Sequence, residues 1–371
     1  VCTCESYYFV IANAMKALIK KILPFDLQYY LRSGLWLAGG QSVLFLLTFF
    51  LSVALTNVFT TVEYGIYRYL LSIGGLIALP ALTEMATAVT RAVAQGDSGA
   101  VWTGFWAKLR FGMFGSVIAL GLAGYYAWQG NTVYGIGFLV MAVVIPLSES
   151  FLLSDAYLQG KREFRLATIL TTLIQFGYTV GILTAVFATR RILVVFLTAI
   201  VSLVVMRGLV FWWLSRRVKW SHVATPEVAR YGRQLSFIKA ANVLSGSIYS
   251  IFLYHYLGAP ALAIFYVAQA PLEQVRGFLT LGENLLLSRL ADPEWKLFRL
   301  RTFLGKIGII TAFMSVIVLT YVVLAPTFFR WFFPKYLDSV QYSQVYAVSL
   351  LFTAMNIVLL SVLRARGKIR Q

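Results

Sequence analysis

Charged side chains are scarce in this sequence. Only 12% of its 371 residues are Asp, Glu, Lys or Arg, whereas 60% are hydrophobic; an ordinary soluble domain has about 25% charged residues. A water-soluble fold of this length needs far more polar surface than these residues supply. The composition therefore excludes an ordinary globular protein and indicates a chain whose surface faces lipid.

Residues that bind metals or form disulfides are also rare. The only cysteines, Cys2 and Cys4, make a single C-x-C, which does not define a metal site or a disulfide framework. The only histidines, His222 and His255, fall on opposite sides of the predicted membrane, so they are not expected to share a metal. A G-x-x-x-x-G-K phosphate loop and a D-x-D pair are both absent from the sequence. We therefore expect no cofactor and no ATP-driven step.

Long apolar runs dominate what is present. A membrane-spanning helix needs about 20 apolar residues, and its backbone hydrogen bonds close within the segment. Runs of this length lack the strict alternation of transmembrane β-strands. The sequence therefore predicts an all-α, polytopic transmembrane bundle of about ten helices. The runs lie at 35–57, 66–90, 109–129, 133–153, 166–188, 192–214, 235–257, 261–287, 304–326 and 341–363.

Lys and Arg are distributed unequally between the predicted loops. With the N-terminus placed inside, 24 of the 32 basic residues, Lys108 among them, fall on the inner side and three fall within spans. Cytoplasmic loops carry such an excess, so we expect both termini in the cytoplasm. The net charge of +18 then comes mainly from these inner loops, where it favours contact with anionic lipid headgroups. It does not indicate nucleic-acid binding. The five outer residues are Arg68, Arg190, Arg191, Arg330 and Lys335.

The order of the runs suggests an internal repeat. A shift of 198 residues places Glu63–Tyr67 over Ala261–Phe265 and Arg91 over Arg289. Because the shift joins span 1 to span 7, the halves share one orientation, as in transporters built from parallel repeats. The first half then has six spans and the second four, so we expect two further spans to be missing from the C-terminus.

This repeat divides the chain into four predicted parts. Residues 1–34 form an N-terminal leader, within which Met15 resembles a natural start. Residues 35–214 form an N-lobe with spans 1 to 6, and residues 215–234 form a cytoplasmic linker. Residues 235–371 form an incomplete C-lobe with spans 7 to 10.

Ionisable residues inside the spans are candidate functional groups. A charge at the bilayer centre costs about 2.5–3.5 kcal/mol, so it is retained where it faces water, a partner or a polar ligand. Span 8 carries four polar residues along one helix face: Glu273, Arg276, Thr280 and Glu283. The other candidates are Glu84 and Arg91 in span 2, Glu149 in span 4, Arg207 in span 6 and Lys239 in span 7.

Several candidates also have a less specific interpretation. Arg91 and Arg207 are close enough to the inner interface for their side chains to reach it. Glu273 and Arg276 lie one turn apart and pair with each other on a simple helix. A polar cavity open to the cytoplasm accommodates the whole set, and its basic members suit a phosphate headgroup. Three residues have no local partner and are the stronger cavity candidates: Lys239, Glu84 and Glu283.

Four short motifs and the Arg91 that closes span 2 resemble a known family. The motifs are Ser33-Gly34-Leu35-Trp36-Leu37, Glu63-Tyr64-Gly65-Ile66-Tyr67, Leu158-Gln159-Gly160-Lys161 and Phe332-Phe333-Pro334-Lys335-Tyr336. They are similar to those of the polysaccharide-biosynthesis flippases. These flippases belong to the multidrug/oligosaccharidyl-lipid/polysaccharide (MOP) exporter superfamily. The similarity runs from about residue 30 to the end of the sequence.

The resemblance implies a two-lobe MOP transporter fold that works by alternating access and is not an enzyme. It implies export of a polyprenyl-diphosphate-linked oligosaccharide across the inner membrane of a bacterium or archaeon, for O-antigen, capsule or exopolysaccharide. The implied partners are this lipid-linked oligosaccharide, membrane lipids and glycan assembly enzymes. The substrate-binding candidates are then Lys239, Arg276, Arg207 and Arg91. The gating or coupling candidates are Glu84, Glu273, Glu283 and Glu149.

Two alternatives compete with this interpretation. A multidrug/cation antiporter of the same superfamily would be expected to have a cavity dominated by acidic residues, and Arg276 and Lys239 argue against that. A membrane-embedded glycan polymerase or ligase would need a sizeable outer loop with catalytic groups, and the predicted outer loops are short.

Overall fold

The structure, a computed structural model, describes residues 27–218, 220, 225–290, 300–353 and 355–356, with the side chains of most of them from residue 39 onward. The predicted leader before residue 27, with Met15, lies outside the described residues. Helices account for nearly all of the described chain. They are α1 Leu27–Val58, α2 Thr61–Ile77, α3 Met85–Ala94, α4 Ala100–Trp128, α5 Thr132–Phe151, α6 Leu153–Gly160, α7 Phe164–Thr189, α8 Ile192–Arg217, α9 Pro226–Leu290, α10 Leu300–Phe332 and α11 Ser339–Ala347.

Most of these helices are long and apolar enough to cross a membrane. Seven qualify within the described chain, or eight if α2 and α3, which meet at a 44° bend, count as one span. Large apolar side chains are exposed along them, for example Phe114, Val117 and Phe187, as expected where the solvent is lipid. The chain is therefore a multi-pass membrane protein with a helical bundle fold, as the sequence predicts.

Helix α9 contains two of the predicted spans. Its 65 residues would measure about 98 Å if straight, roughly three times the hydrocarbon thickness. The chain instead turns at Gly258, where φ is 82°, a value that glycine adopts readily. The Tyr249 and Phe265 rings then lie 5.1 Å apart, and the Ser250 and Tyr266 hydroxyls lie 2.9 Å apart. Segments 226–257 and 259–290 therefore form an antiparallel hairpin, which corresponds to predicted spans 7 and 8.

The prediction of one continuous helix at 66–90 is wrong. Helix α2 ends at Ile77, a short 3-10 turn covers Leu79–Ala81, and α3 begins at Met85. Pro80 lies in this turn and has no N–H to continue a helix, and Leu82 adopts a positive φ of 56°. The break separates a long membrane segment, α2, from the short helix α3.

Turns fall alternately at two ends of the bundle. At one end, which we call the Gly258 end, the turns lie near residues 59–60, 130–131, 190–191, 258 and 333–338. At the other, which we call the Arg91 end, they lie near residues 95–99, 161–163 and 218–225. A buried cluster that includes Tyr64, Phe138 and Phe329 packs toward the first end. Another, which includes Met85 and Leu153, packs toward the second.

Two of the sequence motifs meet at the Gly258 end. Glu63 closes a capping box with Thr60 at the start of α2, which satisfies two free backbone N–H groups. The next residue, Tyr64, packs against Tyr336 with ring centroids 6.1 Å apart. Lys335 donates from Nζ to the backbone oxygens of Asn57 at 2.7 Å and Phe59 at 3.3 Å. Motifs about 270 residues apart in sequence thus join the last turn of α1 to the turn after α10.

Candidate functional site

A cavity of about 710 Å³ lies between the N-terminal helices α1, α2 and α7 and the C-terminal helices α9 and α11. Most of the residues that line it carry polar groups, which is unusual for a helix bundle in lipid. The lining includes two arginines, Arg68 and Arg276, and one carboxylate, Glu273. It also includes Thr48, Ser52, Gln175, Gln269, Gln274, Tyr64, Tyr67, Tyr178, Tyr249, Tyr266 and Tyr346.

Arg68 enters the cavity from α2, about 10 Å along the helix from its first residue. Its Nε donates to the Tyr64 hydroxyl at 2.8 Å. Its guanidinium carbon lies 4.7 Å from the centre of the Tyr266 ring and 5.2 Å from that of Tyr64, which are cation–π distances. Within the described part of the chain, Arg68 forms no ion pair. Its charge is therefore held by tyrosines and not neutralised by a carboxylate.

Arg276 enters the cavity from the second segment of α9. It donates to Glu273 Oε1 at 2.7 Å, to the Tyr346 hydroxyl at 2.6 Å and to Ser349 Oγ at 2.9 Å. The predicted pair with Glu273 is thus present, and contacts to Tyr346 in α11 and to Ser349 just after it are added. Its buried Nε has no hydrogen-bond partner among the described residues. Among the described residues, the lining therefore carries two guanidinium groups and one carboxylate, an excess of one positive charge.

Lys239 and Glu84 form an ion pair outside the cavity lining. Lys239 Nζ lies 3.1 Å from Glu84 Oε1, with 52% of the lysine side chain exposed. The Glu84 backbone N–H also donates to Ser236 Oγ at 3.1 Å. The prediction that Glu84 lacks a local partner is wrong, because the Thr87 hydroxyl donates to Glu84 Oε2 at 2.8 Å. The ion pair with Lys239 joins the α2–α3 break to α9. Lys239 lies seven residues before Gly246, a cavity residue, so the pair lies about 10 Å nearer the Arg91 end.

Glu149 and Arg207 belong to a separate network among the N-terminal helices. Glu149 Oε2 lies 3.1 Å from Lys108 Nζ, and Glu149 Oε1 lies 3.9 Å from Arg207. Arg207 also donates to Ser148 Oγ at 2.8 Å. The expectation that Lys108 lies in an inner loop is wrong, because its side chain is completely buried within α4. Neither Glu149 nor Arg207 lines the large cavity.

Arg91 and Glu283 are the two remaining predicted site residues. Arg91 is exposed on α3, with its guanidinium carbon 5.2 Å from the centre of the Tyr231 ring, a position that fits the interfacial interpretation. The side chain of Glu283, like that of Thr280, lies outside the described residues. The structure thus brings Arg276 and Glu273 together in one cavity and places Lys239 with Glu84 nearer the Arg91 end.

A family model described as "Polysaccharide biosynthesis protein" matches residues 30–282. The chain belongs to this family. The matched region includes every cavity helix except α11, so the polar cavity is mostly a feature of the family region. No curated protein sequence matches the chain significantly.

Solved MATE transporters share the fold of this chain. One is described as an outward-facing multidrug resistance MATE family transporter of the MOP superfamily; its TM-score is 0.63 at 14% identity, over 90% of this chain and 81% of that one. A MATE in complex with MaD5 has a TM-score of 0.62 at 16% identity, over 90% of this chain and 82% of that one. A MOP superfamily transporter from Pyrococcus furiosus, whose structure is titled "Reverse polarity of binding pocket suggests different function", gives 0.58 at 14%, over 91% and 83%.

Sequence reasoning missed Arg68 as a cavity residue. Counting charges by loop assigned it to the outer side, although it lies inside the apolar run 66–90. Its position within that run, next to Tyr64 and Tyr67, was the available signal. The glutamines and tyrosines of the lining gave no signal, because neutral polar residues on a mostly apolar helix are common and only the packing shows which of them converge.

Proposed function

We propose that the chain is a MOP-type exporter that moves a polyprenyl-diphosphate-linked oligosaccharide from the inner to the outer leaflet of the cytoplasmic membrane. The observation that carries this proposal is Arg68, a guanidinium inside a large polar cavity that no carboxylate of the described chain neutralises. Arginine presents several donors in a fixed planar arrangement that matches phosphate oxygens. With Arg276 in the same cavity, two such groups are available for a diphosphate.

The rest of the lining suits a sugar. Tyrosine rings offer apolar faces together with hydroxyl groups, and glutamine amides donate and accept hydrogen bonds. Six tyrosines and three glutamines line the cavity. Its volume of about 710 Å³ lies within the range typical of ligand sites, about 300–1,000 Å³. We infer that the diphosphate contacts the arginines while the first sugars contact tyrosine and glutamine side chains.

Lys239 and Glu84 have a different role in this proposal. The pair lies nearer the Arg91 end, which we place at the cytoplasm because most loop Lys and Arg residues belong there. An incoming phosphate would replace Glu84 as the partner of the half-exposed Lys239 ammonium. Lys239 is then a contact at the mouth of the cavity, and Arg276 and Arg68 bind the headgroup inside.

The test is export in a host whose own gene has been deleted. Arg68→Ala and Arg276→Ala, each expressed in the full chain, should reduce surface polysaccharide to the level of the deletion strain. Surface polysaccharide is measured by gel staining, and the amount of protein in the membrane by immunoblot. Arg68→Lys should retain part of the export, since it keeps the charge but loses the planar donor geometry.

Arg216→Ala is the matched control. Arg216 is exposed on α8, with its guanidinium carbon 4.0 Å from the centre of the Trp212 ring, so it is an arginine on an aromatic ring outside the cavity. This variant should export normally. Normal export by both cavity variants at normal membrane levels would show that the proposed site is wrong.

A multidrug/cation antiporter is the second candidate, and Glu273 is the observation that favours it. This carboxylate lines the cavity, with nearly half of its side chain exposed, and solved transporters of the same fold are multidrug exporters by description. If Glu273→Gln abolishes resistance to a cationic dye while surface polysaccharide is unaffected, the antiporter interpretation replaces the flippase.

A further inference from the structure

A second space lies between α1 and α7, on a different side of these helices from the polar cavity. It is a groove of about 540 Å³ lined by four residues of α1 and five of α7. On α1 the groove residues Gly39, Val43 and Leu47 are spaced four apart and share one helix face. The cavity residues Thr48, Ser52 and Leu55 follow a neighbouring face. Helix α1, together with α7, thus separates a polar chamber from an apolar groove.

Two consecutive glycines of α1 shape the groove. A Cβ on Gly39 would have no atom within 4 Å, whereas one on Gly40 would lie 2.1 Å from the methyl carbon of Thr168. The helices therefore touch at Gly40 and part beside it. The Thr168 hydroxyl donates to the Phe164 carbonyl oxygen at 2.9 Å, so its hydrogen is already used within α7. Among the residues whose side chains the structure describes, none that lines the groove is charged, and the groove therefore suits a hydrocarbon.

The groove and the cavity are lined by adjacent residues of the same two helices. Leu47 lines the groove and Thr48 the cavity; on α7, Phe176 lines the groove and Gln175 the cavity. A molecule whose head is anionic and whose tail is a long hydrocarbon needs a polar site and an apolar site next to each other, since a polar chamber gives the tail no favourable burial. The two spaces meet this requirement across one helix pair.

We propose that the α1–α7 groove binds the polyprenyl tail of the lipid-linked substrate while its diphosphate occupies the cavity. This inference rests on the proposed function and adds a site for the part of the substrate that the cavity does not hold. The tail would lie along Gly39, Val43 and Leu47 at the lipid-facing side of the bundle, and it would remain there while the headgroup is bound.

A comparable depression on α7 provides an internal control. Its volume is also about 540 Å³, but its five lining residues, Val180 among them, all belong to α7. Val43 in the groove is 43% exposed and Val180 is 42% exposed. The same substitution at these two valines therefore compares equally accessible positions, of which one is predicted to contact the tail.

The experiment measures protection from cysteine labelling. In the full chain with Cys2 and Cys4 replaced by Ser, the variants Val43→Cys, Val180→Cys and Gly246→Cys are reconstituted separately in phosphatidylcholine liposomes. A maleimide that dissolves in the membrane labels the first two, and a water-soluble maleimide labels the third, which lies in the cavity. The added probes are a polyprenyl diphosphate, the corresponding polyprenol and inorganic diphosphate. At a probe concentration of about ten times Kd, labelling of an occupied site should slow about tenfold.

The proposal predicts that polyprenyl diphosphate protects Val43→Cys and Gly246→Cys but not Val180→Cys. Inorganic diphosphate should protect Gly246→Cys alone, because it has no tail. If polyprenyl diphosphate protects Gly246→Cys but leaves Val43→Cys unprotected, the groove assignment is overturned and the proposed function stands. If it protects Val43→Cys and Val180→Cys equally, the groove binds bulk lipid only and the assignment is also overturned. If Gly246→Cys is protected by no diphosphate, the proposed function itself fails.

Discussion

Lys108 shows how a single buried charge supports the break between α2 and α3. Its ammonium is fully buried, with Glu149 at 3.1 Å and the Leu82 carbonyl oxygen at 3.4 Å. An ammonium removed from water costs several kcal/mol unless it is paired and hydrogen-bonded. Leu82 has a positive φ and lies in the break between α2 and α3, where helical hydrogen bonds are interrupted. Lys108 therefore satisfies a carbonyl of the break and neutralises Glu149 at once.

Replacing Lys108 by Met should destabilise the protein by about 3 kcal/mol, because it leaves Glu149 partly buried without its closer partner. The double variant Lys108→Met/Glu149→Gln should recover much of this loss, since the uncompensated charge is then absent. The measurement is thermal unfolding in detergent for the two single variants and the double variant. Lys161→Met, at the exposed turn after α6, should be close to neutral. A Lys108→Met variant as stable as this control would contradict the structural role.

The sequence identifies which residues are charged but not which of them meet. Glu84 and Lys239 are 155 positions apart, yet they pair at 3.1 Å. Lys108 follows a polar turn and precedes an apolar run, so its position alone suggests a loop. The packing of α4 against the α2–α3 break and α5 buries it instead. Such partners follow from tertiary contacts between distant helices, which local spacing does not encode, whereas Glu273 and Arg276 were predictable because they are one turn apart on one helix.

At the scale of elements, Gly65 allows α2 to pack directly against the α9 hairpin. A Cβ at this position would lie 2.0 Å from the Ala259 backbone oxygen and 2.5 Å from its carbonyl carbon. These are backbone atoms next to the Gly258 turn, so they are not free to rotate away as a side chain would. The Glu63-Tyr64-Gly65-Ile66-Tyr67 motif therefore has a packing explanation as well as a family resemblance.

Gly65→Ala should destabilise the protein by about 1–3 kcal/mol, the usual cost of extra volume in a packed interface. The control is Gly121→Ala on α4, where a Cβ would meet nothing within 4 Å and where the change should alter stability by less than about 1 kcal/mol. Unfolding of both variants in the same detergent gives the comparison. If the two substitutions have equal effects, the close approach at Ala259 does not matter energetically.

Most helices were predictable because their length and hydropathy are fixed by the bilayer and not by their neighbours. Runs of about 20 apolar residues with short polar connections gave the right crossing segments for α1, α4, α5, α7 and α8. The turn at Gly258 was expected from the interval between spans 7 and 8. The break at Pro80 was not, because proline also occurs inside helices of this chain, for example Pro146 in α5. The structure shows that the helix stops at Ile77 and that Leu82 adopts a positive φ.

At the scale of the whole molecule, polar contacts join the N-terminal and C-terminal helices at both ends. At the Gly258 end, Lys335 binds the Asn57 and Phe59 carbonyl oxygens, and the Asn57 amide donates to the Phe332 carbonyl oxygen at 3.0 Å. Nearer the Arg91 end, Lys239 pairs with Glu84. A transporter that exposes its cavity alternately must release one set of contacts while it keeps the other. The two lysines are therefore expected to bias the conformational equilibrium in opposite directions.

This expectation can be measured by labelling the Gly246→Cys variant in intact cells with a membrane-impermeant maleimide. Lys335→Met removes contacts at the end that we place outside, and losing about 1 kcal/mol there raises the outward-open population about fivefold, so labelling should accelerate. Lys239→Met weakens the opposite end and should slow labelling. Arg330→Met, which removes an exposed cation at the Gly258 end of α10, is the control and should change little. If Lys335→Met and Arg330→Met label at the same rate, the Lys335 contact does not hold that end closed, and the closure must come from the apolar packing of Tyr64 against Tyr336.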